Sequence, residues 1–134
     1  MVTNSGLEPE VLHSNPAALR RWRLLAATAL GAVLAVSLLP VPELPLRPPE
    51  ATDKLVHVAM YAALTWCHVK AYPRCNQLVL GASLIGYGAL IEVAQGYSAS
   101  RTTEFGDALA NGAGVLIMAA ILALHRARAR RARL

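Results

Sequence analysis

Four apolar runs fill most of this chain, and each is close to the length of a membrane-spanning helix. About 20 apolar residues cross a bilayer as an α-helix, because the helix rises ~1.5 Å per residue. With 55% hydrophobic and only 16% charged residues, the chain is also too apolar for an ordinary soluble domain. We therefore predict an all-α integral membrane bundle of four transmembrane helices, built from residues 22–39, 55–69, 78–97 and 108–124.

The basic residues are distributed unevenly among the segments between these runs. Of the 13 lysines and arginines, ten lie at the N-terminal flank of the first run (20–23), between the second and third runs, or after the fourth. Cytoplasmic loops carry such an excess of basic residues, so we expect both the N and the C terminus in the cytoplasm. The same asymmetry argues against a small dual-topology exporter. The net charge of +5 favours contact with anionic membrane lipids, and we expect no nucleic-acid partner.

The chain is expected to form one membrane domain with two polar ends. Residues 40–49 hold five prolines and predict an extended connection, because proline fixes φ and lacks an N–H group. Thr52 and Asp53 follow as N-cap candidates for the second helix. No small-residue cleavage pattern follows the first run, which favours a retained anchor. The predicted parts are a cytoplasmic lead (1–20), the four-helix domain (21–125) and a basic cytoplasmic tail (126–134).

Polar and ionisable residues recur at one depth of the predicted bundle. The second and fourth helices begin on the predicted outer side, whereas the third ends there, which places His57, Glu92 and Asn111 at similar depth near the outer leaflet. Spacings of three and four place the polar residues of each helix on one face. The set is Asp53, His57 and Tyr61 on the second helix, Glu92 and Gln95 on the third, and Asp107, Asn111 and Gly114 on the fourth.

One inward-facing polar site is the favoured interpretation of this set. An ionisable residue within a span costs about 2.5–3.5 kcal/mol to insert, so it normally faces a partner or a cavity. Arg101, in the loop before the fourth helix, is either solvated or placed to bind an anion. Structural alternatives stay open: Asp53 and Asp107 as helix caps, Asn111 and Gln95 as interhelical hydrogen bonds, Glu92 as a partner of His57 or Arg101, and Tyr61 as packing.

Three stretches carry this set: DKLVHVAMYAAL at 53–64, IEVAQGY at 91–97, and Arg101 followed by Asp107 and ALANGAG at 108–114. In order and spacing they resemble the VanZ-like family of small bacterial membrane proteins. That family has Asp-Lys-x-x-His-x-x-x-Tyr on one helix, Glu-x-x-Gln on the next, and an arginine loop before Asp-x-x-x-Asn-x-x-Gly. The resemblance adds Lys54 to the site. The chain departs from the family at 97–100, where Tyr-Ser-Ala-Ser replaces a frequent phenylalanine and Pro-Gly.

The resemblance implies a multi-pass protein of the bacterial cytoplasmic membrane that acts in the cell envelope. The family is named after a member associated with resistance to the glycopeptide antibiotic teicoplanin, so a role in antibiotic resistance is implied as well. The first hypothesis is therefore that the outer-leaflet site binds a lipid headgroup or a lipid-linked cell-wall intermediate. Lys54 and Arg101 would then contact the anionic group.

Two further hypotheses remain open. One is an intramembrane hydrolase or transferase in which His57 and Glu92 act as general base and acid. In its metal-dependent form, a divalent ion is held by Asp53, His57, Glu92 and Asp107. Against an enzyme stands the absence of an H-E-x-x-H or G-x-S-x-G motif. The other hypothesis is a structural or adaptor bundle whose polar core only specifies packing. The sequence names no cofactor and leaves the oligomeric state open.

Overall fold

Each of the four apolar runs forms one long helix. The computed structural model describes residues 15–39, 50–97 and 105–132. The predicted all-α fold is confirmed, and α1, α3 and α4 are long and apolar enough to cross a membrane. Arg101, the proline-rich connection and most of the N-terminal lead lie outside the described residues. The helices are α1 (Pro16–Leu38), α2 (Glu50–Ala71), α3 (Gln77–Gly96) and α4 (Phe105–Arg131). Helix α1 therefore begins before residue 21, and α4 ends after residue 125, the bounds predicted for the four-helix domain.

Two asparagines cap the starts of α1 and α3. The Oδ1 atom of Asn15 accepts a hydrogen bond from the backbone N–H two residues later at 3.0 Å. Pro16 takes the first helical position, where its missing N–H group has no consequence. Asn76 caps α3 with the same geometry, at 2.9 Å. These local contacts fix where both helices begin.

The start of α2 differs from the prediction. The helix begins at Glu50, so the prediction that Thr52 or Asp53 caps it is wrong. Glu50 and Ala51 are good helix formers, which allows the helix to extend on the N-terminal side of the candidate cap. Asp53 instead lies inside the helix, close to its positive end. Its exposed side chain is therefore available for other contacts.

Contacts near both ends of α2 give the directions of its neighbours. Trp22, early in α1, packs edge-on against Trp66, late in α2, with ring centroids 5.0 Å apart and an interplanar angle of 84°. These two helices therefore run antiparallel. His57 and Asn111, each in the first half of its helix, are hydrogen-bonded. It follows that α2 and α4 begin at the same end of the bundle.

The order of the helices around the bundle follows from their packing. The most extensive contact is between α2 and α4, and α3 also packs against both. Packing contacts join α1 to α2 and α3, whereas none joins it to α4 within the described ranges. The helices therefore follow one another as α1, α2, α4 and α3. This order places the polar face of α2 directly against α4.

Two side-chain hydrogen bonds attach α3 to α1. The hydroxyl of Tyr87 donates to the backbone oxygen of Leu30 at 2.7 Å. About two turns further along both helices, the Nε2 atom of Gln95 donates to the backbone oxygen of Ser37 at 2.8 Å. The second donor lies later in α3 than the first, and the second acceptor lies later in α1 than the first. The two helices therefore run parallel.

We expect Tyr87→Phe to lower the free energy of unfolding by about 0.6 kcal/mol, and by no more than ~1.7 kcal/mol, the range for interhelical hydrogen bonds in membrane proteins. The ring stays in place, and the Leu30 oxygen loses only its second donor. Unfolding in mixed detergent and dodecyl sulfate micelles measures the change. Tyr97→Phe is the control, since that residue is 89% exposed. Equal changes in both variants would show that the Tyr87 bond does not stabilise the bundle.

The outer surface of the bundle is largely apolar between the helix ends. Large apolar side chains on all four helices are exposed. A monomeric soluble protein rarely exposes continuous apolar surface on this scale. Together with three helices of spanning length, this surface indicates a multi-pass membrane protein.

Candidate functional site

Gly114 allows α2 and α4 to approach closely beside the polar residues. A Cβ atom at this position would overlap the backbone oxygen of Val58 and would lie 3.1 Å from the backbone nitrogen of Ala62. Only glycine therefore fits this contact without moving the helices. Small residues have this role wherever membrane helices pack backbone to backbone. The approach brings the polar faces of both helices within hydrogen-bonding distance.

The imidazole of His57 connects these two faces. Its Nδ1 atom lies 2.9 Å from the Oδ1 atom of Asn111. Its Nε2 atom lies 3.8 Å from the Oδ2 atom of Asp107. All three residues are buried. Asp107 and Asn111 are four residues apart, so one helical turn of α4 supplies both contacts.

With the Asn111 amide oxygen facing the ring, the contact assigns a tautomer to His57. An amide oxygen is only an acceptor, so Nδ1 must carry the hydrogen. In neutral imidazole the other nitrogen, Nε2, is then an acceptor with a lone pair. That lone pair points toward the Asp107 carboxylate. Two acceptors that face each other are stable only when a proton or a cation lies between them.

Asp53 completes a group of three potential metal ligands. One ligand atom from each of Asp53, His57 and Asp107 lies within 4.8 Å of the others. Asp53 is exposed, whereas the other two side chains are nearly buried. The group therefore opens toward the end of the bundle where α2 and α4 begin. Glu92, a fourth predicted ligand, is outside this group.

Tyr61 lies one turn deeper than His57 on α2, and Glu92 lies near it on α3. The Tyr61 side chain is 1% exposed and fits over Gly88, where an added Cβ would lie 2.9 Å from the tyrosine hydroxyl. Within the described part of the chain, this hydroxyl has no hydrogen-bond partner. Glu92, one turn beyond Gly88, is buried and close enough to interact electrostatically with Tyr61. This pair extends the polar face of α2 toward α3.

Gln95 was predicted to face the polar site among α2, α3 and α4, but its amide contacts α1. Its amide donates to the Ser37 backbone oxygen of α1, whereas the His57 contacts lie between α2 and α4. This geometry matches the alternative in which Gln95 only joins two helices. We therefore treat Gln95 as a structural residue.

Lys54 is the described cation closest to the start of α4. A Cβ atom at Gly106 would lie 2.7 Å from its Cε atom and 3.5 Å from its Nζ atom. The ammonium group therefore lies along the first turn of α4. Here the positive ends of two parallel helices and a lysine share one end of the bundle. The predicted contribution of Arg101 falls outside the described residues.

The structure does not pair His57 with Glu92 through a direct contact among the described residues. Both ring nitrogens of His57 face α4 instead. His57 is instead held between Asp107 and Asn111, and the roles of His57 and Glu92 as general base and acid stay a prediction. His68, the other buried histidine of α2, behaves as expected for a structural residue. Its Nδ1 atom lies 2.8 Å from the Leu64 backbone oxygen of its own helix.

Sequence reasoning missed the residues that α1 and α3 use to hold the site in place. Ser37 is buried and contributes a backbone oxygen, which no sequence pattern signals. Tyr87 lies within an apolar run, but a tyrosine hydroxyl in such a run requires a partner, and this signal could have identified it. A cavity of about 80 Å³ between α2, α3 and α4 lies near Thr65 and Arg126, at the opposite end from His57.

Comparisons with known proteins do not identify a relative. The chain matches no protein-family model, no curated protein sequence and no solved structure. The VanZ-like resemblance therefore stays a prediction from the spacing of its motifs.

Proposed function

We propose that this chain is a VanZ-like multi-pass protein of the bacterial cytoplasmic membrane whose polar site binds a phosphate-bearing lipid headgroup or lipid-linked cell-wall intermediate. The observation that carries the proposal is the buried contact of His57 with Asn111 and Asp107. Such residues inside an apolar bundle are costly and normally mark a functional site. A role in glycopeptide resistance is part of the same proposal, through effects on the cell envelope.

The polarity of α2 supports its assignment as a fourth span. Three polar residues of this helix are buried, at positions 57, 65 and 68. From Leu55 to Trp66, every fully exposed position is apolar. A helix with polar residues inside and apolar residues outside suits lipid surroundings, and its buried polar residues lower its mean hydropathy. Four spans, together with the uneven basic residues, support a topology with both termini in the cytoplasm and the His57 end at the outer leaflet.

The helix starts and Lys54 at this end favour an anionic group as the ligand. Helices α2 and α4 both begin there, and the start of a helix attracts anions through its N–H groups and its dipole. Lys54 adds a full positive charge beside Gly106. Headgroups of outer-leaflet lipids that surround the bundle would lie level with this end of α2 and α4. A phosphate of such a headgroup is the anion that this position meets most readily.

We expect Lys54→Gln to weaken binding of phosphate-bearing lipids about fivefold, since one basic residue near anionic lipid contributes ~1 kcal/mol. Native mass spectrometry of the detergent-purified protein, titrated with phosphatidic acid, polyprenyl phosphate or a neutral glycolipid, measures the binding. Lys70→Gln is the matched control, because this exposed lysine lies near the opposite end of α2. Equal binding of the neutral and phosphate-bearing lipids by the wild-type protein would refute the proposal.

A structural bundle is the second candidate, and the Gln95 and Tyr87 bonds favour it for the α1 side of the molecule. The two candidates predict different effects of Lys54→Gln on lipid binding. A purely structural polar core predicts the same lipid binding in this variant as in Lys70→Gln.

A further inference from the structure

The cluster of Asp53, His57 and Asp107 joins residues from two helices around one point. Their ligand atoms lie within 4.8 Å of one another. Two of the donors are carboxylate oxygens and the third is an imidazole nitrogen. Imidazole suits zinc and other late first-row metals, and carboxylates suit manganese and magnesium as well. The mixture is therefore a donor set for a divalent transition metal.

The orientation of His57 is an independent observation in favour of a metal. A histidine that binds a metal through one nitrogen usually donates its other N–H group to an acceptor, which fixes the ring. Asn111 is that acceptor here, 2% exposed and 2.9 Å from Nδ1. Nε2 makes no hydrogen bond within the described residues, although His57 is only 8% exposed. This nitrogen lies 3.8 Å from the Asp107 carboxylate, in the same group as Asp53.

The distance between Nε2 and Asp107 fits a shared metal ion better than a direct hydrogen bond. A charged N–H···O contact closes to about 2.7–2.9 Å. Two ligands of one tetrahedral zinc ion, with bonds of ~2.0–2.1 Å, lie about 3.4 Å apart. The observed 3.8 Å is closer to the second value. Asp53 is exposed on the first turns of α2, so its side chain can approach an ion by rotation.

We propose that Asp53, His57 and Asp107 bind one divalent transition-metal ion of the Zn²⁺ class, with Asn111 orienting His57. This inference goes beyond lipid binding, because the three ligands hold the ion whether or not a lipid is present. Compared with the metal set expected from the sequence, Glu92 is replaced by an orienting asparagine. Three protein ligands also leave coordination positions for water or for an oxygen of a bound headgroup, as in zinc sites with an open position.

The test measures metal binding on lipid-free, detergent-purified protein without a polyhistidine tag. The protein is treated with chelator, exchanged and titrated with Co²⁺, whose visible absorption reports coordination, and then with Zn²⁺ and Mn²⁺ in competition. Elemental analysis gives the stoichiometry. We expect one ion per chain. His57→Gln and Asp53→Asn should each weaken binding tenfold or more, since even an outer-shell change commonly costs that much.

His68→Gln is the matched control, because His68 lies on the same helix, is 8% exposed like His57, and uses Nδ1 for a backbone oxygen. Its affinity should equal that of the wild type. Asp53→Asn changes an exposed position, so the test does not depend on the folding of His57→Gln. A wild-type protein that takes up none of the three ions overturns the proposal. Uptake that Asp53→Asn leaves unchanged overturns it too. Because no lipid is present, neither result affects the headgroup proposal.

Discussion

Replacing Gly114 with alanine is expected to destabilise the bundle by ~3 kcal/mol or more, at the upper end of the cost of overpacking a core. The added Cβ would overlap the Val58 backbone oxygen and would crowd Ala62 and Tyr61. Rotation of a side chain cannot relieve an overlap with backbone, so α2 and α4 must separate. Alanine also has the better helix propensity by about 1 kcal/mol, which opposes but does not cancel this cost.

Gly112→Ala is the matched control for this prediction. The two glycines are two residues apart on α4, but a Cβ at Gly112 meets nothing within 4 Å. We expect this variant to be neutral or slightly stabilised, through the same gain in helix propensity. Unfolding of both variants in mixed micelles, followed by circular dichroism, measures the difference. Equal stability of the two variants would mean that α2 and α4 are not in backbone contact at Gly114.

The similar depth of His57 and Asn111 was predictable because it depends only on rise per residue and helix direction. His57 and Asn111 were expected at similar depth, and they are hydrogen-bonded. Their position on one face followed from spacings of three and four. The small residue Gly114 was expected in the set as well, and its position explains the close approach.

The identity of each neighbour was less predictable, because it depends on the order of the helices around the bundle. Gln95 shares the depth of the polar set but faces α1 and bonds to Ser37. His57 turns toward α4 rather than toward Glu92 on α3. The periodicity of one helix shows which residues share a face, but it does not show which neighbouring helix that face contacts. The spatial order of the helices around the bundle (α1, α2, α4, α3) depends instead on packing between helices.

The start of α2 was missed for a local reason. Thr52 and Asp53 are good caps, but the residues before them also form helix readily, and the helix includes them. The error has a consequence for the site. A capping carboxylate would be used by backbone N–H groups, whereas Asp53 inside the helix projects one turn above His57. It thereby joins the cluster with Asp107.

The bond between His57 and Asn111 is expected to be the strongest polar coupling between α2 and α4. Asn111→Leu leaves the buried Nδ1–H group without an acceptor, and His57→Leu leaves the buried amide without its donor. Each change should cost about 1–3 kcal/mol, the cost of an unsatisfied buried polar group. The double variant places two leucines in contact, so it should lose less than the sum of the two. The coupling should reach ~0.6–1.7 kcal/mol.

A double-mutant cycle in mixed micelles with excess chelator measures this coupling apart from any metal. The His68→Leu and Asn111→Leu pair is the control cycle, because His68 bonds to its own helix and should add independently. A zero coupling for His57 with Asn111 would mean that the imidazole is not held by the amide. The ring would then lack the fixed tautomer that directs Nε2 toward Asp53 and Asp107. The metal site therefore depends on the same bond that the cycle measures, although the cycle itself contains no metal.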